Sequence, residues 1–141
     1  MLWKAQLYQE SQLNPNAKSG VGAAGLAQFM PGTWRQITKA MNLGDVSRYE
    51  AVPSIEAGAY YMGKLRLQWS APRPMMDRHD LAAASYNAGL GSLLKAQRRC
   101  GGPSAYKDIV SCLPCITGKQ NAAQTTTYVD RIHRWWGMMR L

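Results

Sequence analysis

The chain has 141 residues, enough for about one domain with a single core and no room for a second. Seventeen Lys and Arg against eight Asp and Glu give a formal charge of +9, which predicts attraction to polyanions. The basic residues run from Lys4 to Arg140 without clustering and no nucleic-acid motif accompanies them, so the charge does not identify the partner, and an anionic wall polymer explains it as well as nucleic acid does. No stretch reaches the roughly 18 apolar residues needed to span a bilayer, and the N-terminus lacks the charged-then-apolar pattern of a secretory signal.

Leu2 to Leu13 reads as an opening helix with Trp3, Leu7 and Glu10 on one face, ended by Asn14-Pro15 because the residue before proline is pushed out of the α region. Residues 16–25 are too rich in glycine and small side chains for a regular element, and predict a tight loop that brings backbone close to another group, such as a substrate. Thr33 with Gln36 makes a capping-box pattern that starts a second helix, running to Asn42 or Leu43 before Gly44. Pro53 and Ser54 open a longer helix in which Ile55, Ala59, Met62 and Trp69 recur at helical spacing.

Ser70 to Met76, with two prolines, is a linker. Asp77 or Asp80 then caps a short helix through Ala88, broken by Gly89 and Gly91 and resumed from Ser92 to Arg99. Ser104 to Cys112 predicts a short helix, Leu113 to Gln120 a loop, and Ala123 to Met139 a last helix. There is no hairpin signal and no internal repeat, so the expected fold is all-α and residues 1–141 form one domain. Cys112 and Cys115 have a Cys-x-x-Cys spacing, yet His79 and His133 lie too far off for a zinc ligand set, and no metal is expected. One disulfide from Cys100 to Cys112 or Cys115 would suit an oxidising compartment. The C-terminal run Arg131 to Leu141 mixes basic and bulky apolar residues as membrane-surface helices do, but Tyr128, Ile132, Trp135 and Met139 share one face, which core packing explains more simply.

Three motifs occur in order: Gln9-Glu10-Ser11-Gln12-Leu13-Asn14-Pro15, Gly25-Leu26-Ala27-Gln28-Phe29-Met30-Pro31, and Ser85-Tyr86-Asn87-Ala88-Gly89. Together they resemble the lytic transglycosylases related to goose-type lysozyme, over residues 1 to about 136. A weaker fourth, Gln124-Thr125-Thr126-Thr127-Tyr128-Val129, has Gln124 where the family has glutamate, and Ala27 stands where it has methionine. The resemblance implies a compact, monomeric, lysozyme-like helical domain acting on peptidoglycan glycan strands without any cofactor. It makes Glu10 the catalytic residue, with Ser11, Gln28, Phe29, Met30, Tyr86, Asn87 and Tyr128 in the substrate cleft. Apolar neighbours of Glu10 would raise its pKa toward working pH.

Cleaving a glycosidic bond needs a proton donor, and most glycosidases add a second carboxylate. No second carboxylate is evident here; Asp77 and Asp80 come nearest, and capping accounts for both. One acid suffices if the substrate brings its own nucleophile, as the family implies: the C6 hydroxyl of N-acetylmuramic acid attacks C1 and leaves a 1,6-anhydro sugar. The alternatives are a goose-type hydrolase of the same bond and a non-catalytic wall-binding or assembly module. A short basic chain of this kind also fits a bacteriophage endolysin or a lysin carried in the virion, acting at the cell wall in the periplasm, and equally an excised domain of a larger bacterial or secretion-system protein.

Overall fold

A computed structural model describes residues 2–141. Among them are eight helices, α1 Leu2–Ser11, α2 Pro31–Ala40, α3 Ala51–Gln68, α4 Met75–Ala88, α5 Leu90–Arg99, α6 Tyr106–Val110, α7 Pro114–Thr117 and α8 Lys119–Met139. Extended pairing among the described residues amounts to two isolated bridges, Lys18 with Ala24 and Ala24 with Phe29, so the fold is all-α as expected. The backbone groups into two compact units, one of the described residues up to Tyr61 with Ile132–Leu141, the other of Met62–Arg131.

In the first unit, Leu7, Leu26, Ala27, Phe29, Trp34, Ile37 and Ala57 form the core, with Trp3, Met41, Val46 and Tyr61 packed against it. The ring of Phe29 lies 5.2 Å from that of Trp34 and 6.1 Å from that of Tyr61, both tilted, a favourable arrangement for aromatic pairs. Helix α2 starts at Pro31, two residues before the expected Thr33. Proline suits a first helical position, where its missing N–H would have had no partner anyway. The first unit's part of α3 buries Ser54, Ala57 and Gly58, whereas Ile55 and Ala59 of the expected face are exposed; Met62 and Trp69 of that face, in the second unit, are buried. Small residues face inward because Trp3 lies against Gly58, where a Cβ would run into the indole ring.

In the second unit, residues 79–85 of α4 are all buried, which requires neighbours on every side of the helix; α5 and α6 pack against it, and α7 packs against α5. Trp69, 2% exposed, donates its indole N–H to Ser85 Oγ at 3.0 Å, and Ser85 in turn donates to the Leu81 carbonyl at 2.7 Å. Asp77 does not cap its own helix: its Oδ2 accepts the backbone N–H of Tyr106 at 3.1 Å and so serves the first turn of α6. The break after α4 falls at Gly89 alone, with φ +92, and Gly91 is helical. Leu113–Gln120 is not a loop; Pro114 opens α7, Gly118 with φ +89 ends it, and α8 starts at Lys119. The disulfide joins Cys100 to Cys112, and Cys115 is an exposed free thiol.

Candidate active site

Glu10 is half-buried near the end of α1, and that helix is held at both ends within the first unit. At the start, Trp3 donates its indole N–H to the Ile55 carbonyl at 3.2 Å and packs over Gly58. Toward the end, Trp135 donates to Gln9 Oε1 at 2.9 Å, and its ring meets Tyr8 edge-on at 4.9 Å. Residues that precede Glu10 in α1 are therefore fixed by contacts with distant segments.

The helix stops at Ser11, two residues before the expected end. Gln12 and Leu13 take left-handed backbone angles, φ 52 and 61, and Gln12 N–H closes on the Tyr8 carbonyl at 2.8 Å. Such angles cost a non-glycine residue about 1–2 kcal/mol each. Residues held this way cluster at functional sites. Ser11 is buried and donates its hydroxyl to the Leu7 carbonyl at 3.1 Å, one turn back.

The second motif sits on a loop tied to itself. Gly25 N–H bonds the Ala17 carbonyl at 2.8 Å and Ala24 N–H the Phe29 carbonyl at 3.1 Å. Gln28, half-buried with φ 51, spends its side-chain amide on the same loop, donating to the carbonyls of Gly25 at 2.8 Å and Ala17 at 3.2 Å. Arg48 closes the loop from outside: its Nη1 donates to Gly22 O at 2.7 Å and to Phe29 O at 2.9 Å. Ser54 Oγ accepts the Ala27 N–H at 3.2 Å. The close backbone approach expected for this loop exists, and its partner is the Arg48 carbonyl, which a Cβ on Gly25 would strike. Sequence reasoning missed the bracing roles of Arg48 and Ser54, because no short motif marks a residue that braces a loop from 19 or more positions away. Met30, the N-cap of α2, is 43% exposed, whereas the ring of Phe29 is 2% exposed and belongs to the core. Phe29 thus has no surface to offer as a cleft wall, since the tie between Ala24 and its carbonyl turns the ring toward Trp34 and Tyr61.

The second unit carries Tyr86, Asn87 and Tyr128. Tyr86 is half-buried on α4 and Tyr128 is 6% exposed on α8. Asn87 is exposed, and its Oδ1 accepts the Thr125 hydroxyl at 2.9 Å. A recess of about 280 Å³ opens beside it, lined by Asn87, Ala88, Thr117, Asn121, Gln124 and Thr125. Thr125 and the recess-lining Gln124 belong to the fourth motif, so that motif meets the third one here. Burial, together with the charges of Asp80 and Asp130, holds the Tyr106 phenol well above its ordinary range.

An all-α chain bearing these motifs in this order is a lysozyme-like domain. Residues 1–109 match the transglycosylase SLT domain, and the chain belongs to that family. It is 32% identical over 146 residues to a membrane-bound lytic murein transglycosylase F of Shewanella halifaxensis, covering 94% of this chain and 30% of that protein. The protein of the same name from Idiomarina loihiensis is 33% identical, at 94% and 31% coverage. The fold is similar to that of the 70 kDa soluble lytic transglycosylase from Escherichia coli, with a TM-score of 0.70 and 26% identity over 96% of this chain and 22% of that one. The chain thus spans about three tenths of the length of the curated relatives it matches.

Proposed function

We propose that the chain is a peptidoglycan lytic transglycosylase that cleaves the β-1,4 bond between N-acetylmuramic acid and N-acetylglucosamine, with residues 1–141 as one catalytic domain. The observation that carries this reading is Glu10 on a helix gripped at Trp3 and at Tyr8-Gln9, in a chain of the SLT family. Glu10 gives its proton to the departing glycosidic oxygen as the C1–O bond breaks. The muramic C6 hydroxyl oxygen then bonds to C1, and the Glu10 carboxylate takes the proton that hydroxyl releases. The acid is regenerated and no water is consumed. Because nucleophile and electrophile belong to one sugar, the step gains the advantage of tethered reactants.

The arrangement of carboxylates supports a single acid. Asp77 is engaged with the Tyr106 N–H, Asp80 is 9% exposed within α4, and Asp45, Glu50, Glu56, Asp108 and Asp130 are solvated. A goose-type hydrolase would need one of them as a second catalytic carboxylate. Ser11, Gln28, Met30, Tyr86, Asn87 and Tyr128 hold the sugars, Gln28 through its carbonyl oxygen and Asn87 through its amide nitrogen, since their partner atoms are engaged within the fold. Phe29 acts only by supporting its neighbours. The enzyme works as a monomer at the cell wall. The named relatives are membrane-bound enzymes of bacteria, which lends no support to the expected bacteriophage or virion origin. Among the described residues no helix is long and apolar enough to cross a membrane.

Mass analysis of digested peptidoglycan tests the reaction: anhydro products lack one water relative to hydrolysed ones. Exclusive formation of reducing ends would overturn the transglycosylase reading. Glu10→Gln should abolish lysis while leaving wall binding intact, and retained lysis would remove Glu10 from the mechanism.

A further inference from the structure

A groove of about 460 Å³ on the second unit is lined by Gly63, Arg66, Leu67, Ser70 and Arg78. We propose that it binds the carboxylate-bearing peptide stems of the wall polymer, a proposal that rests on peptidoglycan being the substrate. Arg78 is not a loose surface side chain. Its Nε donates to the Trp69 carbonyl at 2.8 Å and its Nη2 to the Ala71 carbonyl at 3.2 Å. A guanidinium has five N–H donors in a rigid fork, so these two bonds fix its position and leave donors for a ligand.

The positive charge here is concentrated and is not cancelled from within the groove. Arg73 is tied to the same Trp69 carbonyl at 2.6 Å and to Ser104 O at 2.7 Å, and its guanidinium lies 5.5 Å from the Trp69 ring. Burial and the neighbouring charge of Arg78 lower the Arg73 pKa, with Asp77 acting in the opposite direction. Asp77 already shares an oxygen with the Tyr106 N–H, and none of the groove-lining residues is acidic. The second unit as a whole carries ten Lys and Arg against four Asp and Glu, +6 of the net +9.

The rest of the lining selects among anions. Leu67 is 77% exposed, and a Cβ on Gly63 would meet nothing within 4 Å, so an open apolar floor lies beside the cations. A bare phosphate would satisfy the arginines and leave Leu67 in water. A short peptide with carboxylates next to alanine methyls would use both surfaces, pairing an oxygen with Arg66 or Arg78 and covering Leu67.

The Arg66 side chain has no hydrogen bond among the described residues, so Arg66→Gln removes a ligand contact without releasing the Trp69–Ala71 turn, and the Arg66 carbonyl still accepts the Trp69 N–H at 3.2 Å. Gly63→Leu fills the groove from an open helical position, where replacing glycine favours the helix. Titration calorimetry of the full chain with a soluble tetrapeptide stem at low salt should give saturable binding. Either variant should weaken it at least about tenfold, for Arg66→Gln the scale of one charge-assisted hydrogen bond, with a melting temperature no lower than that of the unaltered chain. Amidating the stem carboxylates should weaken binding equally. Absence of saturable binding, indifference to both variants, or inorganic phosphate competing as well as the stem would each overturn the proposal. The titration involves no bond cleavage, so Glu10→Gln should bind the stem like the unaltered chain, and a failure of the lytic reading would show separately in the digest.

Discussion

Replacing Gly25 with alanine should cost far more than the same change at Gly22, although both glycines lie in one loop with left-handed φ, +81 and +99. At either site alanine pays about 1–2 kcal/mol for the angle, partly offset by roughly 0.4–1 kcal/mol from a stiffer unfolded chain. A Cβ at Gly22 would meet only Met30 Cε at 3.8 Å, an ordinary contact, so Gly22→Ala should destabilise by about 1 kcal/mol or less. At Gly25 the Cβ would strike the Arg48 carbonyl, which is backbone and cannot swing aside as a side-chain end does. Overpacking of that kind adds about 1–3 kcal/mol and brings Gly25→Ala to roughly 2–4 kcal/mol. Displacing Arg48 would also strain its bonds to Gly22 and Phe29, and so move Gln28. Urea unfolding followed by tryptophan fluorescence measures both variants, Trp34 lying in the affected core. Lysis should fall with Gly25→Ala even at temperatures where the protein stays folded. If the two variants agree within about 0.5 kcal/mol, the close approach is not what requires glycine at position 25.

Ser85→Ala strands the buried Trp69 indole N–H and should cost about 1–3 kcal/mol, read by chemical denaturation. Replacing Cys100 and Cys112 together by serine opens a loop of sequence separation 12 and should cost about 3 kcal/mol, while Cys115→Ser should leave stability unchanged in oxidising buffer. Tyr106 keeps its proton in the folded chain where the unfolded chain releases it near 10.0. Its contribution is therefore full below that pH and is lost as pH rises above it, so Tyr106→Phe should flatten the alkaline loss of stability in melts taken between about pH 9 and 11.5. The buried Tyr106 hydroxyl has no hydrogen-bond partner, so the same variant should be neutral or stabilising at pH 7; a loss above about 1 kcal/mol would count against that.

What could be read from sequence follows the range of the interactions involved. The all-α class and most helix centres are legible because apolar periodicity is local, and the motifs around Glu10, Gln28 and Tyr86-Asn87 stand out as residue types in order. The face expected for the third helix holds at Met62 and Trp69 but not at Ile55 and Ala59, because the contacts near its start demand smallness and a hydroxyl, not hydrophobicity: Gly58 makes room for Trp3, and Ser54 holds Ala27. Asp77 has the composition of a cap and does cap a helix, but the helix lies 29 positions on. The left-handed residues Gln12, Leu13 and Gln28 carry no signal, since only Asn42 among the four non-glycine cases is a type that favours that region. Pro31 did carry one, and the competing Thr33–Gln36 pattern obscured it.

The family match ends at residue 109, yet the grip on the helix that carries Glu10 comes partly from residue 135. Trp135 fixes Gln9 by a hydrogen bond and Tyr8 by an edge-on ring contact, the residues immediately before the acid. On the other side, Gln12 and Leu13 adopt angles that only surrounding structure can enforce. A single-acid mechanism has no second carboxylate to compensate for a misplaced first one, and displacement of a reacting group by about 1 Å can cost on the order of 10²-fold in rate. In the proposed mechanism the motifs supply the reacting atoms, while the placement of Glu10 depends on an indole outside them. That dependence explains Trp135 in the C-terminal helix: its indole is used within the fold, where it holds the first helix at Tyr8 and Gln9.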